Sequence, residues 1–151
     1  MEVMDTAVHT IHRRPELPLE VQEWIESFRM VSDSDAELQA QGKFYTCAFL
    51  LDLGERQIFV RMNRGKVDDL VIDPGPLDER YQFALRASPE TWAKFATATP
   101  PPMFNGIWAA AFQRDMSIEG DILVLMQNLR AFTRQLELLR ETGVPLIEQE
   151  S

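Results

Sequence analysis

Cysteine is nearly absent from this chain. One residue, Cys47, stands among 151, so no internal disulfide can form, and a reducing compartment, the cytoplasm, is expected. Histidine is almost as scarce. His9 and His12 are the only two, and they sit in a polar N-terminal stretch without a third ligand. A solvated terminus is the simpler reading, and no metal is expected. Without a core histidine, Ser-His-Asp and Cys-His schemes lose their general base. No catalytic residue is nominated, and no cofactor is expected. The seven glycines are scattered and nowhere take the spacing of a phosphate-cradling loop. Positive charge is also short: 15 Lys and Arg face 24 Asp and Glu, a net −9. Such a chain repels nucleic acid and anionic lipid surfaces. No apolar run approaches a membrane span, so stable membrane insertion is not expected. The start, MEVMDTAVHTIHRR, is not a signal peptide. The end, Gln149-Glu150-Ser151, is not a peroxisomal address.

What is present is ordinary globular composition, 45% apolar and 26% charged, enough for one domain with a real core. Residues 1–17 read as a loosely ordered segment, 18–143 as a single domain and 144–151 as a tail. Val21, Trp24, Ile25 and Phe28 recur at helical spacing and predict a helix from Leu19 to Phe28 or beyond. Ser32-Asp33-Ser34-Asp35 breaks or re-caps it, with a short helix to Gln41. Phe44 to Leu53 is apolar on both faces and predicts a central strand covered on both sides. Gln57 to Met62 and Val67 to Ile72 are strands joined by Asn63-Arg64-Gly65-Lys66, a hairpin turn in which Asn and Gly accept positive φ. Tyr81 to Ala87 alternates cleanly, with Tyr81, Phe83, Leu85 and Ala87 on one face. Ser88 caps a helix that Pro89 opens, and Pro100-Pro101-Pro102 lies beyond its end.

Three features invite chemistry. Cys47 lies in mid-strand among apolar residues and reads as a small, inert hydrophobe. Asp68, Asp69 and Asp73 could pair as carboxylates, but a charged edge strand explains them more simply. The third feature is apolar surplus. Met103, Phe104, Trp108 and Phe112 follow the prolines in an irregular apolar loop leading to a short helix. After the strand Met116 to Glu119, one long helix follows, with Leu125, Met126, Leu129 and Phe132 in a stripe wider than docking requires.

The order of elements is α-βββ-crossover-β-α-β-α. In that order, and in several short motifs, the chain resembles the sterol carrier protein 2 family. Ala87-Ser88-Pro89-Glu90-Thr91-Trp92 resembles the family's passage from strand to helix. Pro100-Pro101-Pro102 with Phe104 and Ala109-Ala110 resembles the proline-led connection of bacterial members. Ser117-Ile118-Glu119-Gly120-Asp121 resembles their last strand and turn, and Leu125-Met126 with Asn128-Leu129-Arg130 the start of their closing helix. The resemblance implies an α+β fold: a mixed five-stranded sheet with helices packed on it, enclosing an apolar cavity. It implies a non-catalytic carrier of a lipid or other hydrophobic small molecule, a fatty acyl chain or a sterol-like compound. The wall residues expected are Phe83, Leu85, Met103, Phe104, Trp108, Phe112, Leu125, Met126, Leu129 and Phe132. The competing expectation is an accessory interaction domain with a filled core, working as a homodimer.

Overall fold

The computed structural model describes residues 17–96 and 116–145. Its first helix, α1, runs Leu19–Ser34 and buries Val21, Trp24, Phe28 and Ser32, one residue per turn on the inward face. The stripe read from the sequence thus continues one turn past Phe28. Asp35 then takes extended backbone, and its carboxylate accepts the Leu38 N–H at 2.9 Å. That cap starts α2 (Ala36–Gln41), so the Ser-Asp run re-caps the helix rather than ending it in a loop.

Five strands follow: β1 (Cys47–Asp52), β2 (Gln57–Asn63), β3 (Lys66–Ile72), β4 (Phe83–Arg86) and, after the helix α3 (Pro89–Phe95), β5 (Ser117–Gly120). They form one sheet in the order β3-β2-β1-β4-β5. The β1–β4 pair is parallel and the other pairs are antiparallel. The expected mixed five-stranded sheet with helices is therefore present.

Central β1 is covered on both sides, as its sequence required. Cys47, Phe49 and Leu51 join the main core under the helices. Ala48 and Leu50 join a smaller cluster with Phe59 and Ala84 on the opposite face. The strand is shorter than the apolar run, however. Phe44 lies before it and is 89% exposed, whereas Tyr45 beside it is buried.

β4 is also shorter than its alternation. Tyr81 lies outside the strand and packs on the smaller cluster, opposite to Phe83 and Leu85. Gln82 explains the difference. Its carbonyl accepts the Asp121 N–H at 2.7 Å, and its side-chain Oε1 takes the Ala48 N–H at 2.9 Å. A side chain thus replaces the backbone acceptor, and the regular ladder begins at Phe83.

The β2–β3 turn holds both central residues at positive φ, Arg64 at 53° and Gly65 at 85°. Arg64, rather than Asn63, takes the left-handed position, because Asn63 remains paired with Lys66 in the ladder. A Cβ on Gly65 would stand 2.9 Å from the Gly42 carbonyl oxygen, so the turn also needs glycine for close approach. β3 is an edge strand, and its acids are engaged there. Asp68 meets Arg61 at 3.2 Å, and Asp73 accepts the Gln57 N–H at 2.8 Å.

The expected single closing helix is three: α4 (Ile122–Gln127), α5 (Leu129–Glu137) and α6 (Leu139–Thr142). Asn128 makes the first break. Its side-chain amide donates to the Val124 carbonyl at 2.9 Å, while its own N–H bonds Leu125. A side chain that takes the carbonyl four residues back competes with the helical ladder. The buried stripe keeps its phase across the break, since Leu125 and Phe132 stand two turns apart. Leu125, Phe132, Leu136 and Leu139 stay buried, but Ile122, Leu123 and Met126 turn outward, at 43%, 67% and 50% exposure. At Leu138 the chain only tightens, its N–H shared between the Arg134 and Gln135 carbonyls. Trp24 ties the last helix to the first by donating its indole N–H to the Gly143 carbonyl at 2.7 Å.

Candidate functional site

The residues expected to wall a cavity separate into three groups. Phe83, Leu85, Leu125 and Phe132 all lie in the main core with no exposed surface. There Phe132 sets its edge against Phe49 at 4.9 Å and against Phe83 at 5.1 Å, ring centre to ring centre. Edge-to-face aromatic packing fills this part of the helix–sheet interface. Met126 and Leu129 form the second group and line a groove. Met103, Phe104, Trp108 and Phe112 lie outside the described residues.

The groove lies between the end of α2 and the α4–α5 joint, with a volume of about 570 Å³. Ala40, Phe44 and Tyr45 line it from one side, and Met126, Leu129 and Ala131 from the other. Met126 reaches the groove because it lies about 100° around the helix from Leu125, its buried neighbour on the inward stripe. Gln41, Gln127, Asn128 and Arg130 supply the polar part of the lining. A neighbouring depression of about 380 Å³ shares Gln41, Leu129 and Arg130 and reaches Glu37, Thr133, Arg134 and Glu137.

Two polar devices hold the groove's walls. The Tyr45 hydroxyl donates to Gln135 Oε1 at 2.7 Å. The Gln135 amide in turn donates to Ser32 Oγ at 3.2 Å and contacts Met62 Sδ at 3.4 Å. All three polar groups are buried and satisfied, which fixes Tyr45 and α5 in one arrangement. Burial pushes the Tyr45 hydroxyl well above its ordinary pKa, so it stays protonated and donates. Nearer the surface, Arg134 grips Asp35 through Nε and Nη2, at 2.9 and 2.8 Å. That fork joins α5 to the cap of α2 and holds the Asp35 carboxyl below its usual range.

Chemistry is sparse around this groove. Burial raises the Cys47 thiol to about 12, which leaves it a protonated, inert core residue. Among the described residues no three His, Cys, Asp or Glu gather as metal ligands. Their helices include none long and apolar enough to cross a membrane. The sequence reading missed Phe44 and Tyr45. Phe44 reads there as part of the strand, and the signal available was its place at the end of an apolar run, next to Lys43.

No family model and no curated protein matches the sequence. Solved structures do match. The crystal structure of sterol carrier protein 2 aligns with a TM-score of 0.65 at 13% identity, covering 82% of this chain and 98% of that one. A conserved hypothetical protein of Thermus thermophilus, described as possibly a sterol carrier protein, aligns at 0.62 and 12% identity, covering 87% and 94%. UbiJ-SCP2, a ubiquinone synthesis protein, aligns at 0.56 and 12%, covering 87% and 100%. At such identities the likeness is one of backbone architecture, and it agrees with the element order and sheet described above. The chain has the fold of sterol carrier protein 2.

Proposed function

We propose that this protein binds, and carries without chemical change, a lipid or other hydrophobic small molecule in a reducing, cytoplasmic setting. One observation carries the reading: Phe44, 89% exposed, and Met126, 50% exposed, both line a groove that Leu129 and Ala131 also line. Large apolar side chains left in water around a concavity mark a binding surface. The groove's volume of about 570 Å³ falls within the range of about 300–1,000 Å³ usual for small-molecule sites. Burying an acyl or isoprenoid chain contributes about 0.8 kcal/mol per methylene, so affinity needs no polar chemistry. The names of the structural neighbours point the same way: one is a sterol carrier protein and another serves ubiquinone synthesis.

The test is a titration with a fluorescent fatty-acid analogue, competed by unlabelled acyl, sterol and isoprenoid-quinone ligands. Saturable binding with micromolar or tighter affinity is expected, weakened by Met126→Glu and by Phe44→Ser. Both positions are exposed, so both variants keep the fold. No saturable emission change at high protein concentration would end the carrier reading. If light scattering then shows a dimer that either substitution dissolves, the same apolar residues serve self-association instead.

A further inference from the structure

The sheet face away from the helices holds a second concavity. Its floor includes Leu50 and Phe59, and its walls Pro74, Pro76 and Tyr81, around a volume of about 290 Å³. The segment from Asp73 to Tyr81 that roofs it is pinned at several points. Asp73 and Gln57 exchange two hydrogen bonds, the Asp73 N–H to the Gln57 carbonyl at 2.7 Å and the Gln57 N–H to Asp73 Oδ1 at 2.8 Å. Gly75 and Asp78 likewise bond reciprocally, the Gly75 N–H to Asp78 Oδ2 at 2.6 Å and the Asp78 N–H to the Gly75 carbonyl at 3.1 Å. At the far end, the Tyr81 hydroxyl accepts from Arg86 at 2.9 Å. The concavity is therefore built before any ligand arrives, and binding there costs little ordering.

Charge selects the occupant. Three charged side chains line the concavity: Asp78, Glu79 and Arg80. Asp78 is committed to Gly75, and Glu79 to Arg61 at 3.1 Å. Arg80 alone of the three has neither a hydrogen bond nor an ion pair among the described residues. In a chain of net charge −9, the uncommitted charge at this pocket is a guanidinium. The Tyr81 ring and two proline rings offer the apolar surface here, over Leu50 and Phe59, which are themselves 2% and 1% exposed. We infer that this pocket on the back of the sheet is a second binding site, independent of the helix-side groove, for a small flat aromatic carboxylate whose anionic group pairs with Arg80.

The test uses the full chain, isotopically labelled, with 2-naphthoate and its uncharged isostere 2-naphthamide followed by two-dimensional NMR. Naphthoate is expected to shift the amides of Leu50, Phe59, Gly75 and Tyr81 saturably. The neutral amide, and naphthoate with Arg80→Gln, are each expected to bind about tenfold more weakly, the loss of one charge-assisted contact. Arg80 is exposed, so its substitution leaves the fold in place. A fluorescent fatty acid should not displace the naphthoate. Any of four results overturns the inference: no saturable shift, shifts confined to the helix-side groove, affinity indifferent to ligand charge or to Arg80→Gln, or competition by the fatty acid.

Discussion

At the residue scale, the polar contacts under the groove are arranged so that few can be lost alone. Tyr45 and Gln135 are both buried and bonded to each other at 2.7 Å. Tyr45→Phe would remove the donor and leave Gln135 Oε1 without one, which costs about 1–3 kcal/mol. Urea unfolding followed by circular dichroism should show that loss as a lower midpoint with an unchanged slope. Asp35 gives a pH signature. Its folded pKa is depressed, chiefly by the hydrogen bonds from Arg134, so the unfolded state binds the proton more tightly. The stabilisation is complete above the ordinary carboxylate range, whose value here is 3.8. It fades as pH falls through that range toward the lower folded value. Asp35→Asn should therefore narrow the stability difference between pH 7 and pH 3 in thermal melts. An identical pH dependence in the variant would remove Asp35 from the account. Neither contact was legible in the sequence, because Tyr45 and Gln135 meet across 90 positions, and Asp35 and Arg134 across 99.

At the scale of elements, periodicity located α1, the hairpin and the helix behind Ser88, because each is decided by nearby residues. It failed where one side chain competed with the backbone. Gln82 cut β4 short and Asn128 divided the closing helix, and neither choice changes the hydrophobic pattern. Met126 lines an open groove while Leu125 beside it stays in the core, because neighbouring residues point about 100° apart around a helix. The β2–β3 turn offers a clean test of local chemistry. Gly65 has φ 85° and no room for a Cβ against the Gly42 carbonyl. Gly65→Ala should destabilise the protein by about 1–3 kcal/mol, read as a lower melting temperature. Gly143 gives the contrasting case: nothing lies within 4 Å of an added Cβ, but φ 71° with ψ −171° is backbone that essentially only glycine adopts. Gly143→Ala should therefore lower the melting temperature through strain, without a clash.

At the scale of the whole molecule, element order and short motifs were enough to reach the architecture, though the solved structures that share it are only 12–13% identical. Fold survives such divergence because it rests on pattern, and pattern tolerates exchange of one apolar residue for another. Ligand contacts follow no comparable pattern, so the sequence alone did not separate the fully buried Phe83, Leu85, Leu125 and Phe132 from the groove-lining Met126 and Leu129.

The parallel pairing of β1 with β4 also sets the order in which this chain folds. The β1–β2–β3 meander joins strands through short turns, whereas Phe49 must find Phe83 and Leu51 must find Leu85 across 34 positions. Closing that longer loop costs entropy before any contact repays it. The meander should form the nucleus, with β4 and β5 arriving on it late. Stopped-flow chevrons can separate the two: Val60→Ala in β2 should chiefly slow folding, and Leu85→Ala in β4 should chiefly speed unfolding. Until the late strands arrive, the inner edge of β1 stands unpaired with an apolar strand behind it, and this edge is where the folding chain is most exposed to capture by another copy.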